Sequence, residues 1–273
     1  MPQGAKPQPS AESAGIEPAR GLNVVVTGGA TVAAIDEVRY IANASTGRFS
    51  AEITEASLRS GANVWHIQAP GALLPFQRLA RLDLDAPEAE ELDRLQRLRA
   101  NWQAVRRRLR VIPLRRGTVA DYAEALEAVL RTQPIDLVFL AMAVSDYEPV
   151  PVPGKIESAD EELVLRCRRT PKVIQAVRDW SPEVYLVGFK LLSGAPESEL
   201  IRAAVEACRT NRADLTVAND LRLLRSGRHT IHLVRPGAPV ETFGPADAPI
   251  ADRLVERAFA WSAERRAGPP TSS

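Results

Sequence analysis

The chain has 273 residues, 45% of them hydrophobic and 25% charged, which is enough apolar material for one large core or two small ones. Its 35 Lys and Arg against 34 Asp and Glu leave a net charge of +1, so nothing electrostatic points to nucleic acid or an anionic membrane as a partner. No apolar run approaches the ~18 residues that span a bilayer. The two cysteines, Cys167 and Cys208, lack a C-x-x-C partner and read as small core residues, reduced in a cytoplasmic protein.

Residues 1–20 hold prolines, alanines and polar groups without an apolar h-region, so a disordered leader is expected. A single domain then runs over 21–266, with a flexible tail over 267–273. Asn23 to Thr27 is a β-branched run ending in Gly28 and Gly29, and a helical pattern resumes from Gly47 to Ser60. A buried strand thus feeds a loop of backbone donors before a helix. The two glycines suit either a plain tight turn or a phosphate cradle, since neither G-x-G-x-x-G nor G-x-x-x-x-G-K-[ST] is present. Arg39, Asn43, Ser45, Thr46, Gly47 and Arg48 add a cation, an amide, hydroxyls and a glycine, donors that suit a phosphate or an acyl group gaining charge.

Asn63 to Gln68 is the next strand, and strand, helix, strand is a βαβ unit that requires a parallel sheet and a right-handed crossover. His66 within it reads as a packed histidine. Over 71–110 the composition changes to a helical insertion. Leu92, Leu95, Trp102, Val105 and Leu109 make one apolar stripe, expected to cover the sheet with a charged face outward. Strand and helix alternation resumes with Val111 to Leu114, a helix from about Val119 to Leu130, and the apolar strand Ile135 to Ala141. That strand runs into Met142 to Tyr147, which puts Asp146 at the carboxyl end of a strand, where open α/β sheets bind ligands.

The proline-rich Glu148 to Gly154 cannot join a central strand, and Lys155 and Ile156 are expected to begin a hairpin arm returning through Leu163 to Leu165. Thr170 and Pro171 read as the cap and first residue of a helix ending near Trp180. Val184 to Lys190 is a buried strand. Ser193 to Asn211 is a helix with Leu200, Ile201, Ala204, Val205 and Cys208 inward, and Leu215 to Asn219 is the last main strand. Thr230 to Val234 and a helix from Pro249 to Arg265 close the chain. His229 and His232 are three apart in the short strand and make a poor metal pair.

One string is specific. I-D-x-V-R-Y-I-x-N-x-S-T-G-R, from Ile35 to Arg48, resembles the signature of phosphopantothenoylcysteine synthetase, the ligase of coenzyme A biosynthesis. Met142 to Tyr147 resembles that family's A-A-V-[AS]-D-[YF]; Gly154-Lys155-Ile156 its lysine arm; Val187 to Lys190 and Val217 to Asp220 its nucleotide blocks. The similarity covers about 23–219, in the family's order, interrupted by the insertion.

The resemblance implies a Rossmann-like, mostly parallel α/β sheet with helices on both faces and a protruding β-hairpin arm. It implies a ligase that activates 4′-phosphopantothenate with a nucleoside triphosphate as an acyl-nucleotide and then joins it to L-cysteine. Asn43, Met142, Ala143 and Asp146 would hold phosphopantothenate. Gly29, Ser45, Gly47, Phe189, Asn219 and the helix start Pro171, Lys172, Val173 and Ile174 would contact the nucleotide. Lys155 would come over the phosphates on a mobile arm, and Arg39 would support Asn43 and the anionic intermediate, so the catalytic set is Asn43, Arg39 and Lys155. Mg²⁺ would accompany ATP or CTP, with metal ligands unassigned, no flavin and a homodimer. Phe189-Lys190-Leu191, and Ala207 and Asn211 where the CTP-using branch has lysines, lean towards ATP.

Ala30, Ala33 and Ser50 depart from the family pattern, which raises a catalytically impaired nucleotide-binding relative as an alternative. A nicotinamide-dependent oxidoreductase on the same architecture is the other, opposed by the missing glycine motif and the lack of a Tyr-x-x-x-Lys pair.

Overall fold

The computed structural model of the chain describes residues 21–157, 161–247 and 249–268. The expected leader and the end of the tail lie outside them. β1 (Asn23–Gly28) is followed by a small hairpin of β2 (Val32–Ala34) and β3 (Tyr40–Ala42), then α1 (Arg48–Arg59) and β4 (Asn63–Gln68). Next come α2 (Glu88–Val105), β5 (Leu109–Pro113), α3 (Val119–Thr132), β6 (Leu137–Leu140), β7 (Tyr147–Pro149) and β8 (Cys167–Arg169). The chain continues through α4 (Val173–Trp180), β9 (Tyr185–Leu192), α5 (Glu197–Asn211), β10 (Leu215–Asp220) and α6 (Leu221–Arg225). It closes with β11 (Ile231–Val234), β12 (Glu241–Phe243) and α7 (Ile250–Ala267).

One sheet of eight strands runs in the order β12-β11-β10-β9-β6-β1-β4-β5. Its six strands from β10 to β5 are parallel, while β11 and β12 add an antiparallel edge. This is the mostly parallel, Rossmann-like α/β fold that the sequence implies. The strand order reverses between β1 and β6, and at such a switch point the loops leave in opposite directions and open a crevice.

Alternation along β1 explains both layers. Val24 and Val26 pack with Ile53 and Leu58 of α1 and Leu254 and Phe259 of α7, whereas Val25 packs with Tyr122 and Leu126 of α3 and Val177 of α4. Completely buried side chains such as Leu126, Phe139 and Leu254 each contribute about 1.5–3 kcal/mol of apolar transfer.

Several expectations need correction. The apolar stripe of α2 packs only in its second half: Val105 is buried in the core, Leu98 and Trp102 pack against it and Trp102 meets Phe76 at 5.6 Å, whereas Leu92 is 51% exposed. Its first half is held by polar contacts. Glu91 accepts from the Asp83 N–H at 2.9 Å, and Arg94 binds Glu91 together with the carbonyls of Leu79 and Arg81. Leu109, counted in that stripe, instead starts β5. In the arginine run, Arg108 donates to the carbonyls of Leu58 and Ala62 at the end of α1, and Arg110 stacks over Trp65.

The hairpin arm is paired earlier than expected, between β7 and β8, with a further bond from the Val150 N–H to the Arg166 carbonyl. Lys155 and Ile156 are not strand residues, because the prolines before them remove ladder donors. Cys167, expected in the core, is exposed on this arm, while Cys208 is buried. Thr170 does not cap α4. Its hydroxyl donates to the Ser145 carbonyl, and the helix begins three residues later. α5 starts at Glu197, and Val205 faces solvent at 52% exposure while Leu200, Ala204 and Cys208 face inward. His229 precedes β11 instead of lying in it, packed edge-on against Phe49; His232 lies by Thr242.

Candidate functional site

The loops leaving β1 and β6 run side by side beyond the switch point. Ala30 and Ala143 form a parallel bridge: the Ala143 N–H donates to the Gly29 carbonyl at 2.9 Å and the Thr31 N–H to the Ala143 carbonyl at 3.1 Å. Two buried threonines extend it. Thr27 Oγ1 accepts from the Met142 N–H at 3.2 Å, and Thr31 Oγ1 from the Ser145 N–H at 3.0 Å. Met142 and Ala143 are therefore fixed through their backbones by the end of β1 and the loop that begins at Gly29.

Gly29 and Gly47 approach each other for a steric reason. Both have positive φ, +93° and +72°. A Cβ on Gly29 would lie 2.7 Å from the Ala72 Cβ, and one on Gly47 would lie 3.1 Å from the Gly29 nitrogen. Only glycines let these two backbones meet. The Leu73 N–H binds the Thr46 carbonyl at 2.9 Å and holds the loop before α1 in place.

α1 starts at Gly47 with no side-chain cap and no acidic residue in its first turn. α4 starts after Lys172 in the same condition. At α1 the Arg48 N–H meets Thr46 Oγ1 at 3.4 Å, and the first-turn N–H groups that remain without a side-chain cap, with the helix dipole, favour an anion at each helix start. Asp146 lies in an ion pair with Lys172, and the Asp146 carbonyl accepts from the Thr170 N–H at 3.0 Å, so the β6 loop is fastened to the entry of α4. Gly188 leaves room for Ile174, whose Cδ1 would be 3.1 Å from a Cβ there. Phe189 is half-buried, with its ring edge-to-face on Phe49 of the first turn of α1 at 6.2 Å. Asn219 is buried in β10, and the following Asp220 caps α6 and also accepts from the Gly194 N–H.

The structure thus brings Gly29, Gly47, Met142 and Ala143 into one network, links Asp146 to Lys172, and sets Phe189 against the start of α1. Asn43 and Ser45 lie on the connecting loop, Asn43 exposed and its carbonyl bound to the Ser45 N–H. Arg39 is not engaged with Asn43 as expected. Its guanidinium binds the buried carboxylate of Asp36 and the Ile156 carbonyl at 2.7 Å, because Asp36 is the nearby charge that needs it. Burial alone would raise the Asp36 pKa, but N–H donors from Val38 and Ile156 and the Arg39 guanidinium hold it well below the usual carboxylate range.

Glu37, Thr27, Thr31 and Phe49 were not singled out by the sequence as site residues, and Asp36 stood in the Ile35 to Arg48 string without a role of its own. Only Asp36 carried a local signal, an Asp followed at the second and third positions by residues whose N–H groups it binds. A cavity of about 600 Å³ lies on another side of α1, among Glu52, Arg78, His229 and Asp252, apart from the bridged loops. His66 is buried beneath α1 with Nδ1 2.8 Å from Thr54 Oγ1, and burial lowers its pKa to about 4.

Comparison with known proteins agrees with the fold. The profile of the DNA/pantothenate metabolism flavoprotein C-terminal domain matches residues 19–105 and 108–258. The coenzyme A biosynthesis bifunctional protein CoaBC of Thermococcus kodakarensis is 33% identical over 217 residues, covering 78% of this chain and 45% of that protein. Phosphopantothenate–cysteine ligase 1 of Arabidopsis thaliana is 27% identical over 221 residues, covering 72% of this chain and 69% of the relative. The chain spans about half the length of the bifunctional relatives it matches. Among solved structures, the DNA/pantothenate metabolism flavoprotein of Streptococcus pneumoniae superposes with a TM-score of 0.69 at 28% identity, covering 88% of this chain and 99% of that one. A Cab2 mutant in complex with phosphopantothenate-cysteine shares the fold, with a TM-score of 0.75 at 22% identity over 90% of this chain and 88% of that one. The chain therefore belongs to the family of the DNA/pantothenate metabolism flavoprotein C-terminal domain.

Proposed function

We propose that this protein is a phosphopantothenate–cysteine ligase. In the first step the carboxylate of 4′-phosphopantothenate attacks the α-phosphorus of a nucleoside triphosphate, releasing pyrophosphate and leaving an acyl-nucleotide. In the second the amine of L-cysteine displaces the nucleoside monophosphate. Each transition state gathers negative charge on phosphoryl or carbonyl oxygens, so placed donors matter more than a nucleophilic side chain. The observation that carries the reading is the meeting of Gly29 and Gly47 beside the uncapped start of α1, with the Met142–Ala143 backbone bridged to the same loop.

In this reading Asn43, Met142, Ala143 and Asp146 bind phosphopantothenate, with the Asn43 amide at the reacting carbonyl. Gly29, Ser45, Gly47, Phe189, Asn219 and the turn from Pro171 to Ile174 bind the nucleotide, and Lys155 meets its phosphates. ATP is the nucleotide we assign. Among the described residues there is no cluster of three or more His, Cys, Asp or Glu able to hold a metal. Mg²⁺ would enter on the triphosphate with its own waters, where it would neutralise phosphate charge.

A homodimer completes the reading. Val38 and Tyr40 on the small hairpin and Tyr147, Val150, Val152 and Val164 on the arm are exposed apolar side chains, and grouped surfaces of this kind suit a subunit contact. Exposed Cys167 suits a reducing, cytoplasmic setting, and no helix among the described residues is long and apolar enough to cross a membrane. The test is pyrophosphate release from phosphopantothenate, cysteine and Mg²⁺ with each of four nucleoside triphosphates. Release with ATP supports the assignment, release with CTP alone moves it to the other nucleotide, and tight ATP binding without turnover would mark a non-catalytic relative.

A further inference from the structure

The turn between β2 and β3 grips the arm beyond its paired strands, on both sides of Lys155. The Ile156 N–H donates to Asp36 Oδ2 at 3.1 Å, and the Ile156 carbonyl accepts from Arg39 at 2.7 Å. On the other side, the Glu37 N–H donates to the Gly154 carbonyl at 3.1 Å, and the Gly154 N–H donates to Glu37 Oε1 at 3.3 Å. The Val152 N–H adds a bond to the Ile35 carbonyl at 3.0 Å. Both neighbours of Lys155 therefore have their N–H and C=O groups committed to residues 35–39, while Lys155 itself is exposed. Gly154 has φ +75°, a left-handed turn that glycine adopts without strain and that lets the chain double back onto Glu37.

Asp36 is the centre of this contact. Its side chain is fully buried; Oδ1 accepts from the N–H groups of Val38 and Arg39, and Oδ2 from Arg39 Nε and the Ile156 N–H. One carboxylate thus closes its own turn, orients Arg39 and anchors the arm. Two residues after Arg39 the chain is still in β3, which leads directly to Asn43. The same turn fixes the backbone under Lys155 and the strand that delivers Asn43.

We propose that Asp36 and Glu37 are positioning residues that latch the backbone on either side of Lys155, so that the lysine reaches the nucleotide by side-chain rotation from a fixed base. Arg39 belongs to the latch through its bond to Ile156. The proposal rests on the ligase reading for the role of Lys155, while the latch itself is testable without turnover. It differs from an arm that carries Lys155 in by moving its backbone.

The test has two arms on the full chain. In amide hydrogen exchange of the free protein, Asp36→Asn presents an amide donor to the Ile156 N–H and should speed exchange at Ile156 by about tenfold or more. Glu37→Ala, at an exposed site, should speed exchange at Gly154 alone. In the assay, Asp36→Asn should lower kcat/KM for ATP by about 10- to 100-fold, with KM for cysteine unchanged. In a Lys155→Ala background neither variant should lower it by more than about twofold again, since both act through the lysine. A merely structural role would give full additive losses in that background and overturns the positioning claim. Unchanged exchange at Ile156 and Gly154 overturns the latch. If Asp36→Asn does not fold, Glu37→Ala carries both arms. A wild-type protein that releases no pyrophosphate with any nucleotide sinks the ligase reading, and exchange then decides the latch alone.

Discussion

Ser50 stands in the space that a side chain on Gly28 would need: a Cβ placed on Gly28 would lie 2.0 Å from Ser50 Oγ and 2.7 Å from Ser50 Cβ. The same hydroxyl donates to the Gly47 carbonyl at 2.7 Å, so the end of β1 and the start of α1 are fitted to each other through this serine.

Gly28→Ala should therefore destabilise the protein by about 1–3 kcal/mol through overpacking. In a Ser50→Gly background the penalty should fall by more than half, because the nearest remaining atom, His66 Cε1, would be 3.4 Å away, an ordinary contact. Urea midpoints of the four proteins measure this. Equal penalties in both backgrounds would show that the serine does not set the fit.

Asn43 is exposed and lies between a two-stranded hairpin and the start of α1. With the role proposed for its amide, Asn43→Ala should leave the thermal midpoint unchanged and lower kcat by about 10²-fold or more, the usual loss for a donor aimed at a developing oxyanion. Circular dichroism with a pyrophosphate assay separates the two effects; an unimpaired variant would move the acyl site elsewhere.

Buried His66 sets a direction for stability against pH. Burial lowers its pKa from 6.5 to about 4, so the unfolded chain binds the proton more readily than the folded one. The contribution is complete above pH 6.5 and declines as pH falls from there to about 4, by roughly 3 kcal/mol over the whole window. Denaturation curves between pH 7.5 and 4.5 should show that slope, and His66→Gln should flatten it. An equal slope in the variant would assign the acid sensitivity to other groups.

Tyr40 is 65% exposed and Val164 86% exposed, far more than large apolar side chains at a surface need to be. If the proposed homodimer uses these faces, Tyr40→Glu and Val164→Glu should each shift it towards monomer, since a two-fold contact receives every new charge twice. Sedimentation velocity at micromolar concentration reads the change. A wild type that is already monomeric at those concentrations would remove the dimer from the functional reading.

Much of this protein is decided locally. The β-branched run at Asn23 and the apolar strand around Phe139 specify buried strands, and their alternation with helical patterns specifies a parallel sheet. The strand ends at Gly29 and Met142 could be located from that alone, because hydrophobic period and chain punctuation are properties of neighbouring residues. The nicotinamide alternative drew on the same architecture, and the family comparison does not favour it.

Tertiary structure decided what no window of sequence contains. Arg39 lies four residues from Asn43, yet its guanidinium goes to Asp36 and to Ile156, 117 positions away, because a buried carboxylate and an unpaired carbonyl claim it. The apolar residues of α2 suggested one packed stripe, but only Leu98, Trp102 and Val105 find core to pack on; Leu92 has no facing surface, and the first half of the helix is held by Glu91 and Arg94 to the backbone of residues 79–83. Thr170, which spells a helix cap, instead reaches the Ser145 carbonyl. Periodicity fixes which face of an element is apolar; which partner a polar side chain satisfies depends on the groups that the fold brings within reach.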